Sequence, residues 1–118
     1  MCSIMGYRGK NSAAPILVNG LQRMEYRGYD SVGVATKSKN QILLRKGIGK
    51  VVEVNNAVQL DKLPGNVGIG HTRWATHGKV TEKNAHPHPS NSGKIAIVHN
   101  GIIENFEELK SNLQKKGF

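Results

Sequence analysis

The chain has 118 residues, 37% hydrophobic and 21% charged, enough for one domain or part of one with a packed core. Its single cysteine excludes an internal disulfide and any Cys-x-x-Cys metal or redox motif, and a lone free thiol makes a cytoplasmic location the expectation. No apolar run is long enough to cross a bilayer, so no membrane role is expected. The net charge of +9 invites a nucleic-acid reading, but the lysines and arginines are scattered and no aromatic residues alternate with them as in a stacking platform. A basic nucleic-acid-binding module is therefore the weaker alternative, and no nucleic-acid partner is expected.

In chain order, Cys2 to Arg8 reads as a strand ending at Gly9. Asn11-Ser12 can cap a helix, with Pro15 near its first turn. Leu17, Leu21 and Met24 recur at helical spacing, and Arg27-Gly28 closes the helix. Ser31 to Thr36 predicts a buried strand, and Gln41 to Lys46 its hairpin partner across a turn at Asn40. A second helix is expected over Val51 to Leu60, stopped by Pro64-Gly65, and a strand over Val67 to Thr72. Residues 73–93 are polar and rich in breakers, a long loop of the kind that carries function. Lys94 to His99 predicts a strand. Asn105 with Glu108 is a capping box for a last helix carrying Phe106, Leu109 and Leu113 and ended by Gly117.

Cys2 stands one step from the chain start. Once Met1 is trimmed, a thiol and a free α-amine share one Cα, a nucleophile with a base that cannot drift away. Asn100-Gly101 has two readings. It is a strong hairpin-turn signal, and it is also an oxyanion hole, with a carboxamide and a glycine N–H aimed at one developing negative oxygen. Arg73 can hold a carboxylate through two parallel hydrogen bonds. Beside it, Trp74 is a candidate lid or simply a partly buried anchor, and Thr76 and His77 supply further donors. The five histidines raise a metal site, but extended His86-Pro87-His88-Pro89 would diverge its imidazoles and no cysteine or carboxylate completes a zinc pattern. Neither a metal nor another cofactor is expected.

Met1-Cys2, Glu25-Tyr26-Arg27-Gly28-Tyr29-Asp30-Ser31, His71-Thr72-Arg73-Trp74-Ala75-Thr76-His77-Gly78, Asn84-Ala85-His86-Pro87-His88 and Val98-His99-Asn100-Gly101-Ile102-Ile103-Glu104-Asn105 occur in that order. Together they resemble the glutaminase domain of the glutamine–fructose-6-phosphate aminotransferases. These are class II glutamine amidotransferases, within the N-terminal-nucleophile hydrolases. The resemblance covers essentially the whole chain. It implies an α+β, four-layer αββα fold, of which residues 1–118 would form the incomplete N-terminal part. It implies hydrolysis of L-glutamine to glutamate and ammonia, with Cys2 as nucleophile, Asn100 and Gly101 as oxyanion hole, and Arg73, Trp74, Thr76 and His77 binding glutamine. It also implies ammonia delivery to a sugar site on another domain or on a second chain that completes the fold. Uncovered sheet edges make an oligomer the expectation. Position 3 is Ser where the family pattern is usually Gly, and its side chain is expected to crowd the nucleophile. A glutamine-binding or partner-binding fragment without turnover is the other alternative.

Overall fold

A computed structural model describes residues 1–118. Four strands form one antiparallel sheet in the order β1-β4-β2-β3: β1 (Ser3–Arg8), β2 (Ser31–Ser38), β3 (Gln41–Ile48) and β4 (Val67–Arg73). Helices α1 (Ala13–Met24) and α2 (Val51–Val58) accompany it. A two-residue ladder joins β5 (His88–Pro89) to β6 (Ala96–Ile97), and α3 (Phe106–Lys115) is the last element.

Strand periodicity divides the sheet into two faces. Val32 and Val34 of β2 join Ala13, Ala14, Leu17, Val18 and Leu21 of α1 and Val51 and Val54 of α2 in one core, with Leu60 and Leu63 closing its end and Met5, Tyr7 and Leu43 packed on it. Leu17 and Leu21 are wholly buried, each stabilising the fold by about 1.5–3 kcal/mol. The alternate residues, Ile4, Ile69, His71, Ala35 and Lys46, face the other way. There Lys46 Nζ donates to the carbonyls of Ala85 (2.6 Å) and Pro87 (3.3 Å), tying the 85–88 segment down on the sheet. Gly33 makes this approach possible, since a Cβ at that position would overlap the His86 carbonyl.

Several expected local features are made differently. Ser12 does not cap α1 through its side chain; the Ala13 N–H donates instead to the Gly65 carbonyl at 2.9 Å, so a distant loop closes the helix start. The capping box expected at Asn105 and Glu108 is not formed, and Asn105 makes no side-chain cap. Two carboxylates cap α2: Glu53 Oε2 accepts from Lys50 N–H and Glu25 Oε2 from Val51 N–H, both at 2.9 Å. That helix stops at Val58 because Gln59 turns left-handed (φ +54°) into a 3-10 turn over Leu60–Lys62. The strand expected over Lys94 to His99 shrinks to Ala96–Ile97. Beyond Pro89 only the Ser90 N–H donates across, to the Ile95 carbonyl at 2.8 Å, and at the other end the His99 N–H donates to the His86 ring instead of to a strand carbonyl. One further residue, Arg73, joins β4, because Ser31 lies opposite it and Asp30 N–H donates to its carbonyl at 2.6 Å.

Of the four layers that the family resemblance implies, one helical layer and one full sheet are present, with only a short ladder over the second face. Every residue from 99 to 118 is exposed, including Phe106, Leu109 and Leu113 of α3. Stability therefore resides in the α1–sheet core. Leu17→Ala is expected to cost about 2–5 kcal/mol, and Leu113→Ala, 49% exposed, to stay within about 0.5 kcal/mol. Urea denaturation of the two variants beside the parent chain checks the contrast.

Candidate active site

The central strand β4 pairs with β1 on one side and β2 on the other, setting Ser3 opposite Thr72 and Ser31 opposite Arg73. Cys2 and Arg73 are thereby fixed at the same end of the sheet. Between them opens a cavity of about 390 Å³, a size that suits a small ligand. Cys2, Arg73, Thr76, His77 and Gly101 line it, together with His71, His86, His88 and Ile102.

Cys2 is half-buried. Its Sγ accepts a hydrogen bond from the Trp74 N–H at 3.2 Å and lies 3.5 Å from the Trp74 carbonyl. The Trp74 backbone thus brackets the thiol, while the indole packs over Gly28 outside the cavity. The loop is latched by Asp30, whose carboxylate accepts from the Ala75 N–H. Ser3 points to the opposite face of β1, alongside Met5 and Tyr7, and is 2% exposed. It does not crowd the cavity, which corrects the expectation drawn from its position beside Cys2.

Arg73 is buried rather than a loop residue. Its guanidinium donates to the carbonyls of His77 (2.7 Å) and Lys79 (3.1 Å), so it both holds the 74–79 loop and faces the cavity. Of the five N–H donors of an arginine, two are used here and three make no hydrogen bond within the chain. Thr76 and His77 are exposed on the same loop, and the His77 ring meets Phe106 edge-on at 5.7 Å.

Asn100 lies 98 positions from Cys2, yet its Nδ2 donates to the Cys2 carbonyl at 3.3 Å. Its Oδ1 lies 2.6 Å from His71 Nε2. No hairpin forms at Asn100-Gly101, which removes the turn reading. Gly101 has φ +149°, a conformation that side chains resist, and a Cβ there would press on the His99 ring.

The imidazoles of His86 and His88 do not diverge; both lie on the cavity side. His86 stacks on His71 with ring centroids 4.3 Å apart, and His88 meets His86 at the same distance. Ring-to-ring stacking does not converge their nitrogens on a point, and no group of three or more His, Cys, Asp or Glu is disposed to hold a metal ion. Periodicity alone could not reveal this cluster; the signal was the recurrence of histidine at both ends of the 71–99 stretch.

Burial, aided by the neighbouring histidines and the Arg73 and Lys46 charges, pushes His86 down to about 3. The His99 N–H donates to its Nδ1 at 3.3 Å, a bond that only a neutral ring can accept. Burial lowers His71 and His88 as well. Above about pH 6.5 these rings are neutral in both folded and unfolded chains; below it the unfolded chain binds the protons. Stability is therefore expected to fall as pH drops from about 6.5 toward 3, and His86→Asn is expected to flatten that fall. Denaturation midpoints at pH 7.5 and 5.0 for both chains check it.

Residues 53–118 match the glutamine amidotransferase domain family. A glutamine–fructose-6-phosphate aminotransferase of Pyrococcus horikoshii is 56% identical over 117 residues, covering 99% of this chain and 20% of the relative. One of Bacteroides thetaiotaomicron is 58% identical over 119 residues, covering 100% and 19%. The chain thus spans about a fifth of the length of these curated relatives. Among solved structures, the glutamine phosphoribosylpyrophosphate amidotransferase of B. subtilis superposes with a TM-score of 0.82 at 30% identity, over 100% of this chain and 26% of the other. A second, an allosteric regulatory enzyme of purine biosynthesis, gives 0.83 over the same shares. The mixed α/β fold is accordingly that of the N-terminal-nucleophile amidotransferases, represented here by its N-terminal portion. A cysteine at the chain start, an Asn-Gly step docked against it and an arginine at the end of the central strand thus accompany a family match over more than half the residues, and the chain belongs to the glutamine amidotransferase domain family.

Proposed function

We propose that residues 1–118 are the N-terminal part of a glutaminase domain that releases ammonia from L-glutamine through a thioester on Cys2. The observation that carries this reading is the hydrogen bond from Asn100 Nδ2 to the Cys2 carbonyl. It holds a carboxamide donor beside the nucleophile, across 98 positions of sequence and between His99 and Gly101, which line the cavity together with Arg73.

In this reading the Cys2 thiolate attacks the side-chain amide carbon of glutamine. Asn100 Nδ2 and the Gly101 N–H take the oxyanion, each such donor being worth about 2.7–4 kcal/mol in the transition state. The C–N bond breaks, ammonia leaves with a proton from the α-amine, and water cleaves the γ-glutamyl thioester to restore the thiol. The α-amine serves as base only when it is free. Met1 ties it up in a peptide bond, and the Met1 amine donates to the Arg27 carbonyl at 2.6 Å. Removal of Met1 is therefore part of the proposed activation. Arg73 holds the α-carboxylate of glutamine with its remaining N–H groups. Thr76 and His77 supply polar contacts from the same loop, and Trp74 closes over the bound amino acid when that loop shuts.

The aminotransferase relatives support a destination for the ammonia: a sugar phosphate bound by another domain or by a second chain, in an oligomeric assembly. A reactive thiol of this kind suits the reducing cytoplasm. No helix is long and apolar enough to cross a membrane.

Intact mass before and after exposure to a glutamine analogue carrying an electrophile at the amide position tests the nucleophile. Loss of Met1 and one covalent adduct are expected, with no adduct on Cys2→Ala. An adduct that persists in Cys2→Ala would sink the mechanism. Arg73→Lys loses the two-pronged contact and is expected to weaken glutamine binding on the order of tenfold. Equal affinity by calorimetry would remove Arg73 from the site.

A further inference from the structure

We infer that His71 is a positioning residue that fixes the orientation of the Asn100 carboxamide, donating from Nε2 to Oδ1 so that the Nδ2 N–H groups are turned toward Cys2. The inference rests on the glutaminase reading for its consequence and on geometry for its substance.

Two arrangements of this contact are conceivable. In the first, His71 carries its proton on Nε2 and donates to Oδ1 at 2.6 Å, and Nδ2 donates to the Cys2 carbonyl at 3.3 Å. In the second, the carboxamide is flipped and the proton sits on Nδ1. The flipped Oδ1 would then face the Cys2 carbonyl oxygen, acceptor against acceptor, and a buried Nδ1–H would have no acceptor, since Nδ1 has no partner. A buried donor left unpaired costs about 1–3 kcal/mol. The first arrangement leaves only an unpaired lone pair, and it satisfies both ends of the carboxamide. Asparagine is nearly symmetric in shape, so sterics alone do not select between the two. The hydrogen-bond pattern does.

His71 is itself held. It is 1% exposed on the central strand, with the His86 ring stacked on it at 4.3 Å. His86 is pinned by the His99 N–H, one residue before Asn100. Lys46 grips the carbonyls on either side of His86. Strand, ring stack and loop thus converge on one exposed carboxamide that has no secondary structure of its own.

The test uses the intact protein that carries this chain, with His71→Leu, which removes the donor, and His71→Gln, which keeps an N–H at similar reach. His71→Leu is expected to lower glutaminase kcat on the order of 10- to 100-fold, short of the roughly 100- to 1000-fold that follows loss of an oxyanion donor. KM should stay within about twofold, since the contact acts in the transition state. His71→Gln should recover most of kcat, and His71→Leu added to Asn100→Ala should cost nothing further. In the parent protein, nitrogen NMR should find His71 protonated on Nε2. A parent-like kcat in His71→Leu, a His71→Gln no better than His71→Leu, or a proton on Nδ1 would each overturn the inference. If the parent protein neither turns over glutamine nor takes the electrophilic label, the glutaminase reading fails instead. The tautomer, with the Asn100 side-chain amide signal in parent and His71→Leu, then decides the contact by itself.

Discussion

The position of β4 between β1 and β2 is the constraint on which the site depends. An antiparallel ladder fixes which residues stand opposite one another, and a slip of one residue would send every side chain to the other face. With Ser3 opposite Thr72 and Ser31 opposite Arg73, the chain start, the buried arginine and Asp30 must share one end of the sheet. The same register sends Ile69, His71 and Arg73 to the face away from α1. The apolar core and the chemistry are thus two sides of one sheet. The core supplies the rigidity, and the opposite face carries the polar groups that a packed helix could not tolerate.

Charge around the cavity is one-sided. Arg73 and Lys46 sit close to three histidines; of the nearby anions, Asp30 latches the loop at Ala75 and Glu82 lies near Lys46. In such surroundings a protonated imidazole would be opposed by both burial and like charge. The neutral rings can then stack, and each can accept or donate a single well-directed hydrogen bond. Two N–H groups of Arg73 are satisfied on the carbonyls of its own loop. The loop that would hold a carboxylate is therefore folded around the group that would bind it.

Long-range hydrogen bonds do work that local capping was expected to do. Gly65 closes the start of α1, Glu25 at the end of α1 closes the start of α2, and the Asp30 carbonyl accepts from Gly49 N–H at 3.0 Å. These contacts tie the Glu25–Ser31 stretch to both helices and to the 73–79 loop. A string that the sequence marks as a helix end and a family motif is the junction of the fold.

Much was legible from residue pattern. The spacing of Leu17 and Leu21, the alternation in β2 and β3, and the glycines and prolines at the breaks reflect local sterics and the period of each element, which a chain carries in its order of residues. The motif strings around Cys2, Arg73 and Asn100 identified the family for the same reason: they are contiguous. What the sequence could not express was direction and neighbourhood. Ser3 turned out to face the core, Trp74 to lie over Gly28, and His86 and His88 to stack in the cavity, because those outcomes depend on register and on the Lys46 clamp rather than on adjacent residues. The strand foreseen at Lys94 to His99 is short because a strand exists only where a partner offers hydrogen bonds, and the His99 N–H is taken by the His86 ring. Sequence by itself determined most of the elements, the family and which residues are candidates for the chemistry. Tertiary structure alone decided which of those groups meet, since the contact between Asn100 and Cys2 spans nearly the whole chain and is made only when β4 lies beside β1.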